Sequence, residues 1–186
     1  MKITLMRHGK PAFDFSRRIK AGELGSLIHE YNQAKIANQP SNRAIAQAKN
    51  CKAAVCSNLP RSILSADVLM RKQVVLSSEL FREAPLPYPN NGNIRLPLSA
   101  WAVLLRAAWF LGYSQNAESI SATRKRAEEA SRLLIQLAKE YGSILLVGHG
   151  IINHLLAKEL SKQGWMSEAK SPSSRYWGFG VYEKGG

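Results

Sequence analysis

Lys2-Ile3-Thr4-Leu5-Met6-Arg7-His8-Gly9 is a short apolar run that gives way at once to an arginine, a histidine and a glycine. Residues 2–6 suit a buried strand, so Arg7 and His8 fall at its carboxyl end. In open α/β sheets that edge is where ligands bind. The same arrangement recurs in Ile144-Leu145-Leu146-Val147-Gly148-His149-Gly150, where a buried strand ends in a histidine between two glycines. Glycine lets backbone and ligand approach closely, and a helix that follows would point its positive amino terminus at the site. A third apolar run, 53–56, leads into Cys56-Ser57-Asn58-Leu59-Pro60-Arg61. Pro60 fits the first turn of a helix, where its missing N–H is not needed, and this sets Arg61 in that turn. Three strand ends therefore deliver Arg7, His8, Arg61 and His149.

The surrounding chain supports a sheet of this kind. Residues 74–77 read as another strand, and helical periodicity separates the strand-like runs, an alternation that predicts one α/β domain with a mostly parallel central sheet flanked by helices. The clearest helix covers about 121–141, with Ala127, Ala130, Leu134, Leu137, Ala138 and Tyr141 on one face and Gly142 as its stop. A second runs over 151–163 and ends at Gly164, and residues 175–182 are expected to form a final edge strand.

Residues 85–97 hold four of the eight prolines and three asparagines, and are expected to be an irregular active-site loop. Residues 96–111 are almost wholly apolar and carry Trp101 and Trp109, but are shorter than the ~20 residues of a membrane span and contain Arg106. A helix packed over the sheet is the expected role. A hydrophobic lid, a dimer contact and a membrane-surface anchor are the sharper alternatives. The loop and this helix together form an insertion at about 85–113 within a domain spanning 1–186.

The 186 residues carry 26 Lys+Arg against 13 Asp+Glu, a formal charge of +13 that favours anionic partners without choosing among them. The two cysteines, Cys51 and Cys56, make no disulfide framework or metal pattern. The run before Arg7 is too short for a signal peptide, so a reducing, cytoplasmic location is expected. Membrane-surface contact is the less favoured alternative.

The strand-Arg7-His8-Gly9 opening, the Ser57-to-Arg61 step and the strand-Gly148-His149-Gly150 close resemble the histidine phosphatase (phosphoglycerate mutase-like) superfamily, over residues 2 to about 160. The resemblance implies a phosphomonoester hydrolase in which His8 is the nucleophile that takes up the phosphoryl group, while Arg7, Arg61 and His149 bind it. It implies no metal and no cofactor, and a small phosphorylated substrate or phosphoprotein rather than nucleic acid as partner. Glu83, after the strand that follows Arg61, resembles the family's proton donor to the leaving oxygen; Glu79 and Glu118 are the alternatives. The physics is compatible, because phosphoryl transfer rests on positioning and charge stabilisation, and planar guanidinium groups match phosphate oxygens bidentately.

The chain departs from the family at Lys10-Pro11, where many members have an acidic residue and threonine, and at Asn58, where a proline is frequent. His29 and His154 match no motif position and are expected to be structural or exposed. Arg17, Arg18 and Lys20 form a basic cluster, read as a solvated face or as a guide for polyanionic substrates. A phosphomutase of the same superfamily and a basic polyanion-binding module without catalysis remain the competing functions. The oligomeric state is not set by these residues, and the physiological substrate is left to segments 13–39 and 85–113.

Overall fold

The computed structural model describes residues 1–70, 73–167 and 172–185. Its sheet is built from β1 (Lys2–Arg7), β3 (Ala53–Ser57), β4 (Val74–Ser78), β6 (Ser143–Gly148) and β7 (Phe179–Glu183), in the spatial order β4-β3-β6-β1-β7. The first four are mutually parallel, and β7 closes the edge antiparallel to β1. The α/β class with a mostly parallel sheet is as the alternating pattern predicts. The tail strand starts four residues later than expected, at Phe179, because residues 175–178 turn instead.

Register brings the motifs together. β1 and β6 are neighbours with Arg7 opposite Gly148, so the histidines that follow each strand lie side by side at one sheet edge. β3 flanks β6 with Cys56 opposite Val147, which brings the next strand end to the same edge.

The sheet is covered on both faces, as a parallel sheet requires. Alternation in β1 sends Ile3 and Leu5 to one side, where they pack with Val55, Ile144 and Leu146 against α5 (Ile120–Tyr141) and α6 (Gly150–Lys162). Met6 goes to the other side with Ala54, Leu145 and Val147, under α2 (Asn42–Lys49) and α3 (Pro60–Met70). Gly142 ends α5 at φ 78° and Gly164 follows α6 at φ 79°, left-handed conformations that suit glycine. Cys51 and Cys56 are free thiols in the second core, and burial pushes both thiols up.

A third apolar cluster stands apart from the sheet. It joins α1 (Leu24–Gln33) to α4 (Leu98–Phe110), through Leu24, Leu27, Leu98, Trp101 and Leu105. Here the expectations for the insertion need correcting. Residues 85–97 are not irregular to their end, because β5 (Arg95–Pro97) pairs antiparallel with β2 (Arg18–Lys20) in a two-stranded ribbon. Nor does α4 pack over the sheet. It buries Leu98, Trp101 and Leu105 in the cluster with the ribbon and α1, turns the buried Trp109 to the Glu118 carbonyl, and leaves Val103, Leu104 and Phe110 in solvent. Trp101 anchors it by donating its indole N–H to the carbonyl of Ile19 at 3.2 Å. Among the described residues no helix is long and apolar enough to cross a membrane.

Candidate active site

The site is assembled at the carboxyl ends of β1, β3 and β6. His8 is 1% exposed, and its Nδ1 lies 2.7 Å from the carbonyl oxygen of Gly9, a contact only an N–H can make favourably. That fixes the neutral tautomer with the proton on Nδ1 and the lone pair on Nε2. Burial pushes the His8 pKa down to about 3, with the charges of Arg61 and Arg7 adding to the effect against the opposing pull of the Gly9 carbonyl. The ring is thus an unprotonated base at neutral pH.

His149 is fully buried, with its ring centroid 4.8 Å from that of His8. Its Nε2 lies 2.9 Å from Ser57 Oγ and 3.2 Å from Ser62 Oγ, while Nδ1 has no partner. Desolvation, followed by the proximity of His8 and the arginines, holds its pKa well below the ordinary histidine value.

Arg61, in the first turn of α3 as its sequence predicts, is 1% exposed. Its guanidinium lies over the Tyr31 ring at 4.4 Å and donates through Nη1 to the Tyr31 carbonyl at 3.2 Å, yet its Nε is unpartnered. Arg7 stacks on Tyr176 at 4.3 Å and donates through Nη1 to the Ser174 carbonyl, and its Nε is likewise buried without a partner. Among the described residues no carboxylate forms an ion pair with either arginine. Burying Arg61 is costly and is offset only in part by Tyr31 and the charge of Glu83, and three unsatisfied nitrogens at one sheet edge fit a bound anion.

Glu83 is pinned in a way its neighbours in sequence do not suggest. Its Oε1 accepts from the backbone N–H groups of Ile151 at 3.0 Å, Ile152 at 3.1 Å and Ala84 at 3.1 Å. It therefore caps the amino terminus of α6, which has no cap from its own side chains. Oε2 has one longer contact, to Ile151 N at 3.3 Å, and lies 3.6 Å from where a Cβ on Gly150 would sit. The two alternative acids are placed differently. Glu79 is exposed beside Arg82, and Glu118 is tied to Arg126 at 2.8 Å and to the Thr123 hydroxyl at 2.9 Å.

Several contributors carried no sequence signal of their own. Ser65 Oγ receives the Gly9 N–H at 2.9 Å, and Asn153 donates to the Met6 carbonyl at 3.0 Å, both bracing the strand ends. Trp177, in a left-handed conformation at φ 61°, lies so close to Gly9 that a Cβ there would come within 2.7 Å of its indole. A non-glycine residue holds that conformation only where its surroundings enforce it. Here the Trp177 N–H donates to the Arg7 carbonyl at 3.1 Å and its indole N–H to Asn38 Oδ1 at 3.0 Å. His29 and His154 are exposed, as expected, and His154 lines the rim of the cavity described next. The basic cluster does not join the site: Arg17 pairs with Glu30 at 2.9 Å and borders, with Arg18, a separate depression.

Above the strand ends opens a cavity of about 1190 Å³, lined by Arg7, Arg61 and Glu83 on its floor side and by α1 and α4 elsewhere. The parallel sheet, the two strand-end histidines, the arginine in the first turn of α3 and a roof set over them can be compared with solved structures. Bacillus stearothermophilus YhfR matches at a TM-score of 0.62, with 16% identity over 100% of this chain and 92% of its own. The fold is that of the histidine phosphatases. A mycobacterial glucosyl-3-phosphoglycerate phosphatase matches at a TM-score of 0.58, with 21% identity over 87% of this chain and 79% of its own. A phosphoserine phosphatase mutant from Entamoeba histolytica, in complex with phosphoserine, matches at 0.58, with 20% identity over 87% and 80%. No protein-family model matches the chain, and no curated protein sequence does. At Lys10-Pro11 the chain forms an isolated antiparallel bridge from Pro11 to Ile36.

Proposed function

We propose that the protein is a phosphomonoester hydrolase that works through a phosphohistidine at His8. The observation that carries this reading is the buried, neutral His8 with its proton held on Nδ1, set beside three unpartnered nitrogens, Arg7 Nε, Arg61 Nε and His149 Nδ1. A phosphoryl group supplies the missing acceptors and the missing negative charge together. His8 is nearly inaccessible, so the groups around its ring must shift as the substrate enters.

In the first step His8 Nε2 attacks phosphorus as the bond to the leaving oxygen breaks, and that oxygen takes a proton from Glu83 Oε2. In the second, water attacks the phosphohistidine and returns a proton to Glu83, the N–P bond breaks, and inorganic phosphate leaves. Arg7, Arg61 and His149 stabilise charge on the equatorial oxygens throughout. The charge compensation comes from side chains, so chelators should leave the rate unchanged. The phosphatases named among the structural matches support hydrolysis as the chemistry.

Labelled phosphoester, quenched rapidly without acid, tests the reading: an acid-labile, base-stable phosphoenzyme is expected in the parent and none in His8→Ala. A phosphoenzyme that survives in His8→Ala, or activity abolished by EDTA and restored by a divalent ion, would overturn it.

A further inference from the structure

The cavity is far larger than a phosphoryl group, and at about 1190 Å³ it lies at the upper end of small-molecule sites. Beside its polar residues, Phe13, Leu86 and, on α4, Leu98, Ala102, Val103 and Phe110 give it an extended apolar wall. Several of those polar side chains are committed elsewhere. The Arg106 guanidinium donates to the carbonyls of Ala84 at 2.9 Å and Pro85 at 3.4 Å and lies over Trp109. Glu118 is held by Arg126, and Arg82 donates to Asn58 at 2.6 Å. Asn32, His154, the exposed Glu79 and the hydroxyls of Tyr31 and Ser174 are the remaining polar groups of the lining. The α4 side of the wall, apolar apart from Arg106, offers little to the hydroxyls of a sugar or the ammonium and carboxylate of an amino acid, and desolvating them there is unfavourable.

Val103 and Phe110 line the cavity while 70% and 54% exposed, so this apolar surface is left to water unless a ligand covers it. One end of the cavity demands an anion and the α4 side an apolar group. We infer that the preferred substrate is an amphiphile: a monophosphate ester of a long alkyl or isoprenyl alcohol, its phosphate between Arg7 and Arg61 and its chain along α4. This inference rests on the phosphatase reading for the position of the phosphate and goes beyond it in naming the leaving group.

The experiment uses primary alkyl phosphates from ethyl to octyl and geranyl phosphate, all below their critical micelle concentrations, with phosphoserine and adenosine 5′-monophosphate as polar comparators. Each methylene that enters the wall should raise kcat/KM roughly three- to fourfold. Val103→Asp, which alters an exposed position and should fold, should cut the octyl-to-ethyl ratio at least tenfold. The same series is measured by calorimetry on His8→Ala, where the esters bind without turnover. If kcat/KM and Kd are both flat with chain length, or either polar comparator outperforms octyl phosphate, the inference is overturned while the phosphatase reading stands. If nothing is hydrolysed, the phosphatase reading fails, and the chain-length dependence of Kd in His8→Ala still decides for or against the apolar subsite.

Discussion

Acidification should expose the cost of keeping two histidines neutral inside the site. In the unfolded chain a histidine titrates near 6.5, whereas His8 in the folded protein is held down to about 3 by burial. Below pH 6.5 the unfolded chain therefore binds a proton at residue 8 that the folded chain refuses. Stability is unaffected by this group above about pH 7 and falls as the pH drops through the window from about 6.5 towards 3. At pH 5.5 the unfolded imidazole is protonated about tenfold over its neutral form, a loss of about 1.4 kcal/mol relative to pH 7.5. His149, also held well below its ordinary value by burial, contributes a loss in the same direction.

The perturbation that isolates His8 is His8→Asn, which removes one of the two titrations and leaves every other group in place. Urea unfolding in phosphate-free buffer at pH 7.5 and 5.5 gives the difference directly. The parent should lose about 1.4 kcal/mol more than the variant between the two conditions, or about 3–6 °C in Tm for a chain of this size. Contributions that do not involve residue 8 are common to both proteins and cancel. Equal losses in parent and variant would mean that His8 takes up a proton while folded, and the argument for a preset neutral nucleophile would fall with it.

Glu83→Gln should slow hydrolysis of alkyl phosphates by about 10²–10³ while sparing activated aryl phosphates, since a good leaving group needs little protonation; equal losses in steady-state assays would move the acid role to Glu79, Glu118 or water. Arg61→Met should abolish turnover yet change stability by no more than about 1 kcal/mol in chemical denaturation without phosphate, because the relief of burying a guanidinium offsets the lost contacts with Tyr31. Trp101→Ala should cost about 3–5 kcal/mol by loosening α4 from the ribbon, with His8 still phosphorylated at a temperature where the variant is folded. Loss of phosphoenzyme in a folded Trp101→Ala would place this helix in the chemistry.

The strand ends were legible because each depends on local signals: a buried apolar run, then a charged or imidazole side chain, with glycine or Pro60 preparing the turn. Parallel pairing of β1 with β6 then puts His8 next to His149. The surroundings of the site were not legible in the same way. Tyr31, Tyr176, Ser62 and Ser65 act through the partners they meet in three dimensions, and nothing in their immediate sequence distinguishes them from other polar or aromatic residues. Glu83 could be named from its place after β4, but its hold on the α6 amino terminus joins segments 68 residues apart. The β2–β5 ribbon escaped because two three-residue strands, one ending in Pro97, show no alternation to read. Hydropathy marked α4 as apolar without revealing that only one side of it is covered.

Trp177 and its neighbours tie a segment that follows α6 to the first strand of the sheet. Arg7 is steadied by Ser174, Tyr176 and the Trp177 N–H, none of which a ribosome has added when β1 through α6 are already complete. A nascent chain halted after α6 has the sheet's four parallel strands and both histidines, but lacks the groups that set the first arginine. The surroundings of Arg7 are thus completed only after α6 has been made, and a chain halted there cannot hold this arginine as the assembled site does.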